Sequence, residues 1–197
     1  MIFFLNFGDG VKSVCVYLGA KFGNSTLFKH VVVELAKQIA HSNIRLVYGG
    51  SGLGLMGLLA TTVLDLGGKV TGIIPEHLIV LEQPLTSLNE LVITQTMQER
   101  KMLMQQKADA FIVMPGGLGT LEEAFDTWNA IKIGVFNKPF GFLNIDGYFD
   151  DLFSFITNAE KHGYISKAQA QIPIINDCPS LLLSALAKCC VFDSERG

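Results

Sequence analysis

Twice in this sequence a short apolar run breaks into glycines and then into a stretch with helical spacing. Residues 44–48 lead into Gly49-Gly50-Ser51-Gly52-Leu53-Gly54-Leu55-Met56-Gly57. Residues 110–114 (Ala-Phe-Ile-Val-Met) lead into Pro115-Gly116-Gly117-Leu118-Gly119-Thr120-Leu121-Glu122-Glu123. Brief β-rich runs that end at Gly or Pro read as buried strands. A strand, a glycine turn and a helix N-terminus together present free backbone N–H groups and the positive end of a helix dipole. That arrangement suits an anion, and glycine lets the backbone approach it closely.

The same alternation runs through the rest of the chain. Further strands are expected over residues 13–18, 69–74, 91–94, 139–144 and 172–175. Helices are expected over 28–39, from the first glycine turn through Leu66, and over 97–107, 124–131, 149–161 and 181–188. Residues 75–89 read as a loop with short ordered pieces at most. Strands alternating with helices require right-handed crossovers. The predicted fold class is therefore α/β, a doubly wound, largely parallel sheet with helices on both faces. In such folds ligands bind beyond the carboxyl ends of the strands, where both glycine turns lie.

At 197 residues the chain has the length of one domain. Residues 1–12 are set apart as an N-terminal extension (a mobile segment, a docking arm or a consequence of the start site) and 13–197 as a single domain. With 49% hydrophobic and 17% charged residues, the chain is globular and not disordered. A net charge of −3 without a basic cluster excludes a broad nucleic-acid surface. No run approaches the roughly 18 apolar residues of a membrane helix. The apolar start lacks the basic region of a signal peptide, so the expected location is cytoplasmic, with no membrane partner. Cys15, Cys178, Cys189 and Cys190 have no zinc-ligand spacing, and Cys15 is expected to be buried in a strand.

Each candidate motif has an ordinary structural explanation. Thr120 followed by Glu123 has the form of a capping box. Three glycines in four positions exceed what a cap requires, and a cap is compatible with an anion site. Gly52-Leu53-Gly54-Leu55-Met56-Gly57 matches the dinucleotide fingerprint, with Glu76 near the place of a ribose-binding acid. Arg100-Lys101 would ordinarily be a solvated helix face. Two cations in a first helical turn nonetheless oppose the macrodipole, and Arg suits forked recognition of phosphate. Glu82 would ordinarily be surface, and Phe125 and Trp128 core or subunit interface.

The motifs together resemble one family. Tyr48-Gly49-Gly50, Gly54-Leu55-Met56-Gly57, Gly72-Ile73-Ile74-Pro75, Arg100-Lys101, Asp109-Ala110-Phe111, the Pro115-to-Glu123 stretch, Lys138-Pro139 and Leu143-Asn144-Ile145-Asp146-Gly147-Tyr148 occur in the order of the Lonely Guy family. The resemblance spans roughly residues 13–165. It implies a Rossmann-like fold, a homodimer, and hydrolysis of cytokinin riboside 5′-monophosphate, in many members also of AMP, to free base and ribose 5-phosphate. It also implies Arg100 and Glu123 as the catalytic pair. Gly116, Gly117, Leu118, Gly119 and Thr120 would form the phosphate turn, with Glu82, Lys101 and Asn129 as further substrate contacts. Relatives have often been labelled lysine decarboxylases, yet nothing in this sequence supports pyridoxal phosphate chemistry. No cofactor and no metal are expected.

The chain departs from the family pattern in two places. Gly19-Ala20-Lys21 stands where Gly-Ser-Ser is usual, and Asn129 replaces a ligand-contacting threonine, with Trp128 displaced. The alternatives to a hydrolase are a non-catalytic nucleotide-binding module and an oxidoreductase that binds a nicotinamide cofactor at residues 52–57.

Overall fold

The computed structural model describes residues 10–194. In chain order the elements are β1 (Ser13–Tyr17), α1 (Thr26–His41), β2 (Arg45–Tyr48), α2 (Gly54–Asp65), β3 (Val70–Pro75), α3 (Ile79–Glu82), β4 (Glu90–Thr94) and α4 (Met97–Lys107). There follow β5 (Ala110–Val113), α5 (Leu118–Lys132), β6 (Phe140–Leu143), α6 (Asp150–Lys161), α7 (Lys167–Ala170), β7 (Ile174–Asn176) and α8 (Pro179–Ser194). The strands form one sheet in the order β4-β3-β2-β1-β5-β6-β7, and every neighbouring pair is parallel. The expected doubly wound α/β sheet is thus the one observed.

The pleat sends successive side chains to opposite faces. Val14 and Val16 of β1, with Leu46 of β2 and Ile112 of β5, pack under α1, α2 and α8 through Leu35, Leu59 and Leu186. Cys15, Tyr17, Val47, Phe111 and Val113 face the other way, onto α4, α5 and α6 through Met104, Trp128 and Ile156. Because both faces are covered, the central strands carry no polar alternation. A Leu35→Ala change in such a core would cost about 2–5 kcal/mol.

Two boundaries differ most from expectation. Val11 is buried in the core, and Asp109 Oδ2 accepts from the amides of Lys12 (3.0 Å) and Ser13 (2.8 Å). The domain therefore begins before Ser13, and an extension over residues 1–12 does not hold for Val11 and Lys12. Residues 1–9 lie outside the described residues. Helix α5 starts at Leu118, six residues before the apolar spacing indicated, since its first turn is glycine-rich and exposed. The 75–89 segment, as expected, holds only short ordered pieces, a 3-10 turn and α3, which ends at Gln83 in the left-handed region (φ 44°).

The chain order reverses between β1 and β5, its topological switch point. The loops after β1, β2 and β5 converge there.

Candidate active site

The turn after β5 is held from beneath. The Pro115 carbonyl accepts from Gly19 N (3.2 Å), and Tyr148 Oη donates to the Gly116 carbonyl (2.7 Å). A Cβ on Gly116 would collide with Thr120 and lie 2.9 Å from Gly19 N. Gly117 and Gly119 meet nothing within 4 Å at the place of a Cβ, and Leu118 is 88% exposed. Gly117 is the N-cap of α5 and supplies no side-chain cap. Thr120 therefore sits inside the first turn, buried. Its Thr-x-x-Glu spacing is not a capping box, because the helix starts too early for one. The first-turn amides are left facing the open side of the turn.

Glu123 projects from the end of that turn and is 7% exposed. Arg100, equally buried, reaches it from α4, with Nη1 2.8 Å from Oε1. Arg100 Nε donates to the Ile73 carbonyl (3.0 Å) and Nη2 to the Gly49 carbonyl (3.4 Å). The cation that runs against the dipole of its own helix thus faces the carbonyl ends of β2 and β3 and a carboxylate. A Cβ on Gly49 would overlap Nη2, so glycine there lets the guanidinium occupy this position. Burial pushes the Glu123 carboxyl above its ordinary range, and the Arg100 guanidinium opposes that push.

Lys101, the next residue, lies about 100° further round the helix and turns away. It pairs with Glu122 and with Asp126 Oδ1 (3.7 Å), and Gln105 Nε2 donates to Asp126 Oδ2 (3.0 Å). The hydrogen bond to Glu122 raises the Lys101 pKa. These contacts fasten α4 to α5 and keep Arg100 opposite Glu123. Asn129 is exposed, with Oδ1 3.4 Å from Lys132 Nζ, and like Lys101 it is not brought to the cleft.

Arg100, Glu123 and the glycine turn share a cleft of about 590 Å³. Glu82 lines its far wall. The Glu82 carbonyl accepts from Gly52 N (2.8 Å) and Ser51 Oγ (3.2 Å), while its buried Oε2 has no protein partner. Lys21, Phe28, Met97 and Tyr148 complete the wall, and spacing gave no sign of their convergence. Tyr148 had a signal in the Leu143-to-Tyr148 family motif, whose Asp146-Gly147 turn has positive φ at both residues (53° and 68°). Among the described residues no group of three His, Cys, Asp or Glu side chains is placed to hold a metal.

The other glycine turn is closed. Cβ positions on Gly52, Gly54 and Gly57 would overlap the backbone of Gln83, Ala20 and Gly52 respectively. Those glycines accommodate the protein's own chain, which leaves no room there for the pyrophosphate of a dinucleotide.

The family model described as possible lysine decarboxylase matches residues 56–186. The Arabidopsis thaliana protein named cytokinin riboside 5′-monophosphate phosphoribohydrolase LOG2 is 40% identical over 172 residues, covering 87% of this chain and 81% of that one. The chain belongs to the Lonely Guy family. A second Lonely Guy protein, from Oryza sativa subsp. japonica and named probable cytokinin riboside 5′-monophosphate phosphoribohydrolase LOG4, is 39% identical over 178 residues, 90% of this chain and 77% of its own length. Among solved structures, the Moco carrier protein of Chlamydomonas reinhardtii superposes with a TM-score of 0.69 at 18% identity, covering 91% of this chain and 98% of that one. The molybdenum cofactor binding protein of Rippkaea orientalis gives 0.64 at 19% identity, with 94% and 97% covered. These two likenesses bear on the fold alone. Of the departures from the Lonely Guy pattern, Ala20-Lys21 lies on the cleft and Asn129 lies away from it.

Proposed function

We propose that this chain is a phosphoribohydrolase that cleaves the N-glycosidic bond of a purine nucleoside 5′-monophosphate, a cytokinin riboside 5′-monophosphate or AMP, to free base and ribose 5-phosphate. The observation that carries this is the buried Arg100–Glu123 pair beside an open helix N-terminus in one cleft. The family membership and the relatives' names support it.

The 5′-phosphate would sit on the amides of residues 117–120, where the α5 dipole favours an anion. Glu123, one turn along, then lies near the sugar. As the C1′–N9 bond breaks, its electron pair leaves with the base and positive charge builds on the ribose. The Glu123 carboxylate stabilises that charge and takes a proton from the attacking water. The water oxygen bonds to C1′, and the base acquires a proton on departure. Arg100 orients Glu123 and supports its ionised form. Its remaining N–H groups would bind the nucleotide phosphate or stabilise the departing base. Glu82, with an unpartnered buried oxygen, would accept a hydrogen bond from the substrate. No cofactor is required for this chemistry.

Among the described residues no helix is long and apolar enough to cross a membrane, and we place the enzyme in the cytoplasm. The exposed Phe125 of α5, stacked on Trp128 (centroids 5.9 Å apart), with exposed Ile133 and Val135 beyond, supports a homodimer built on this face. A monomer in sedimentation analysis would refute that assembly.

The deciding experiment is base release from a panel of nucleoside 5′-monophosphates by wild type and Glu123→Gln. Release that the substitution abolishes supports the hydrolase. Saturable nucleotide binding without release, unaffected by the substitution, would identify a non-catalytic binding module instead.

A further inference from the structure

We propose that Lys21 is a specificity-determining residue, the side chain that balances this cleft's charge in favour of a 5′-phosphate; this rests on the phosphoribohydrolase function proposed above. The charged side chains lining the cleft are Lys21, Glu82, Arg100 and Glu123. Arg100 is matched by Glu123 at 2.8 Å, which leaves Glu82 as an uncompensated carboxylate. Without Lys21 an incoming phosphate dianion would meet a lining of net negative charge. With Lys21 that lining is neutral, and its cation is free to turn to the ligand. Lys21 is exposed, and among the described residues it has no ion-pair partner.

The backbone fixes where this cation stands. Gly19 N donates to the Pro115 carbonyl (3.2 Å), which joins the loop after β1 to the phosphate turn. The Gly19 carbonyl accepts from Met56 N (3.3 Å), which joins the same loop to α2. A Cβ on Gly54 would overlap the backbone of Ala20 and of Lys21 N. Residues 19–21 are therefore wedged between the N-termini of α2 and α5, beside the open Gly117 and Gly119. A charge-assisted hydrogen bond to phosphate is roughly twice as strong as a neutral one. The flexible lysine stem lets the charge follow its ligand. A nucleoside lacking phosphate gains nothing from it, so the residue favours the monophosphate over the free nucleoside.

The test measures KM and kcat for AMP with wild type, Lys21→Ala, Lys21→Ser and Lys21→Arg. Ribose 5-phosphate binding to the same proteins is followed by calorimetry. Lys21→Ala and Lys21→Ser are expected to raise KM roughly fivefold, as for a partly exposed charge pair, with kcat changed far less. Ribose 5-phosphate affinity should fall by a similar factor, Lys21→Arg should restore both, and the differences should shrink at high salt. Unchanged KM and unchanged ribose 5-phosphate affinity in Lys21→Ala would overturn the assignment while leaving the hydrolase in place. If wild type releases no base, the hydrolase itself falls, and ribose 5-phosphate affinity alone decides Lys21. A weakened affinity in Lys21→Ala then keeps the phosphate contact, and an unchanged one removes it.

Discussion

The two glycine-rich turns look interchangeable on paper and are opposite in space. After β2, the room that glycine leaves is filled by Arg100, by Gln83 and by the loop after β1. After β5, Gly117 and Gly119 face nothing within 4 Å. One turn therefore uses glycine to admit the protein's own chain, and the other leaves that space open, as the proposed phosphate site requires. The motif of higher reputation, G-x-G-x-x-G, is the closed one. A glycine pattern reports close approach, and only the surroundings reveal what approaches.

The largest expected effect tests the open turn. Glu123→Gln should lower base release by about 10²–10⁴-fold while nucleotide binding persists. Retained turnover would move the chemistry away from α5. In the wild type, activity should fall on acidification as Glu123 protonates. Because burial raises its pKa, that loss should begin at higher pH than for an ordinary exposed glutamate, and a rate–pH profile reads it directly. The closed turn should answer in stability. Gly54→Ala combines positive φ (55°) with overlap on Ala20 and is expected to cost about 3 kcal/mol or more in thermal unfolding. A small cost would mean that the loop after β1 can withdraw. The mildest change sharpens the contrast. Gly119→Ala, inside α5 with open space around it, should stabilise the fold by about 0.4–1 kcal/mol yet raise KM. Equal KM would show that the phosphate does not approach there.

The sheet was legible because both faces are buried, which makes every central strand a short apolar run bounded by Gly, Pro or a cap. The boundaries were less so. Val11 is apolar and isolated in sequence, and only Asp109, distant in the chain, shows that the domain has already begun. Arg100 and Glu123 stood out through a broken local rule and a family motif. The reason for the break, two carbonyls at the ends of β2 and β3, carries no side-chain signature. Lys101 shares Arg100's position on the helix to within one residue and still points elsewhere, since adjacent helical residues face different ways. Thr120 and Glu123 had the spacing of a cap but not the register, which the glycines before Leu118 set.

Arg100 closes the stretch of chain that builds β1 through β4, and Glu123 lies within the stretch that builds β5 through β7. Losing either partner from the assembled fold would leave the other buried without its counterpart, a loss on the order of 3–5 kcal/mol. The pair therefore ties the two stretches of chain to each other. The contact on which the proposed chemistry rests is thus also a contact that joins the first stretch of the chain to the second.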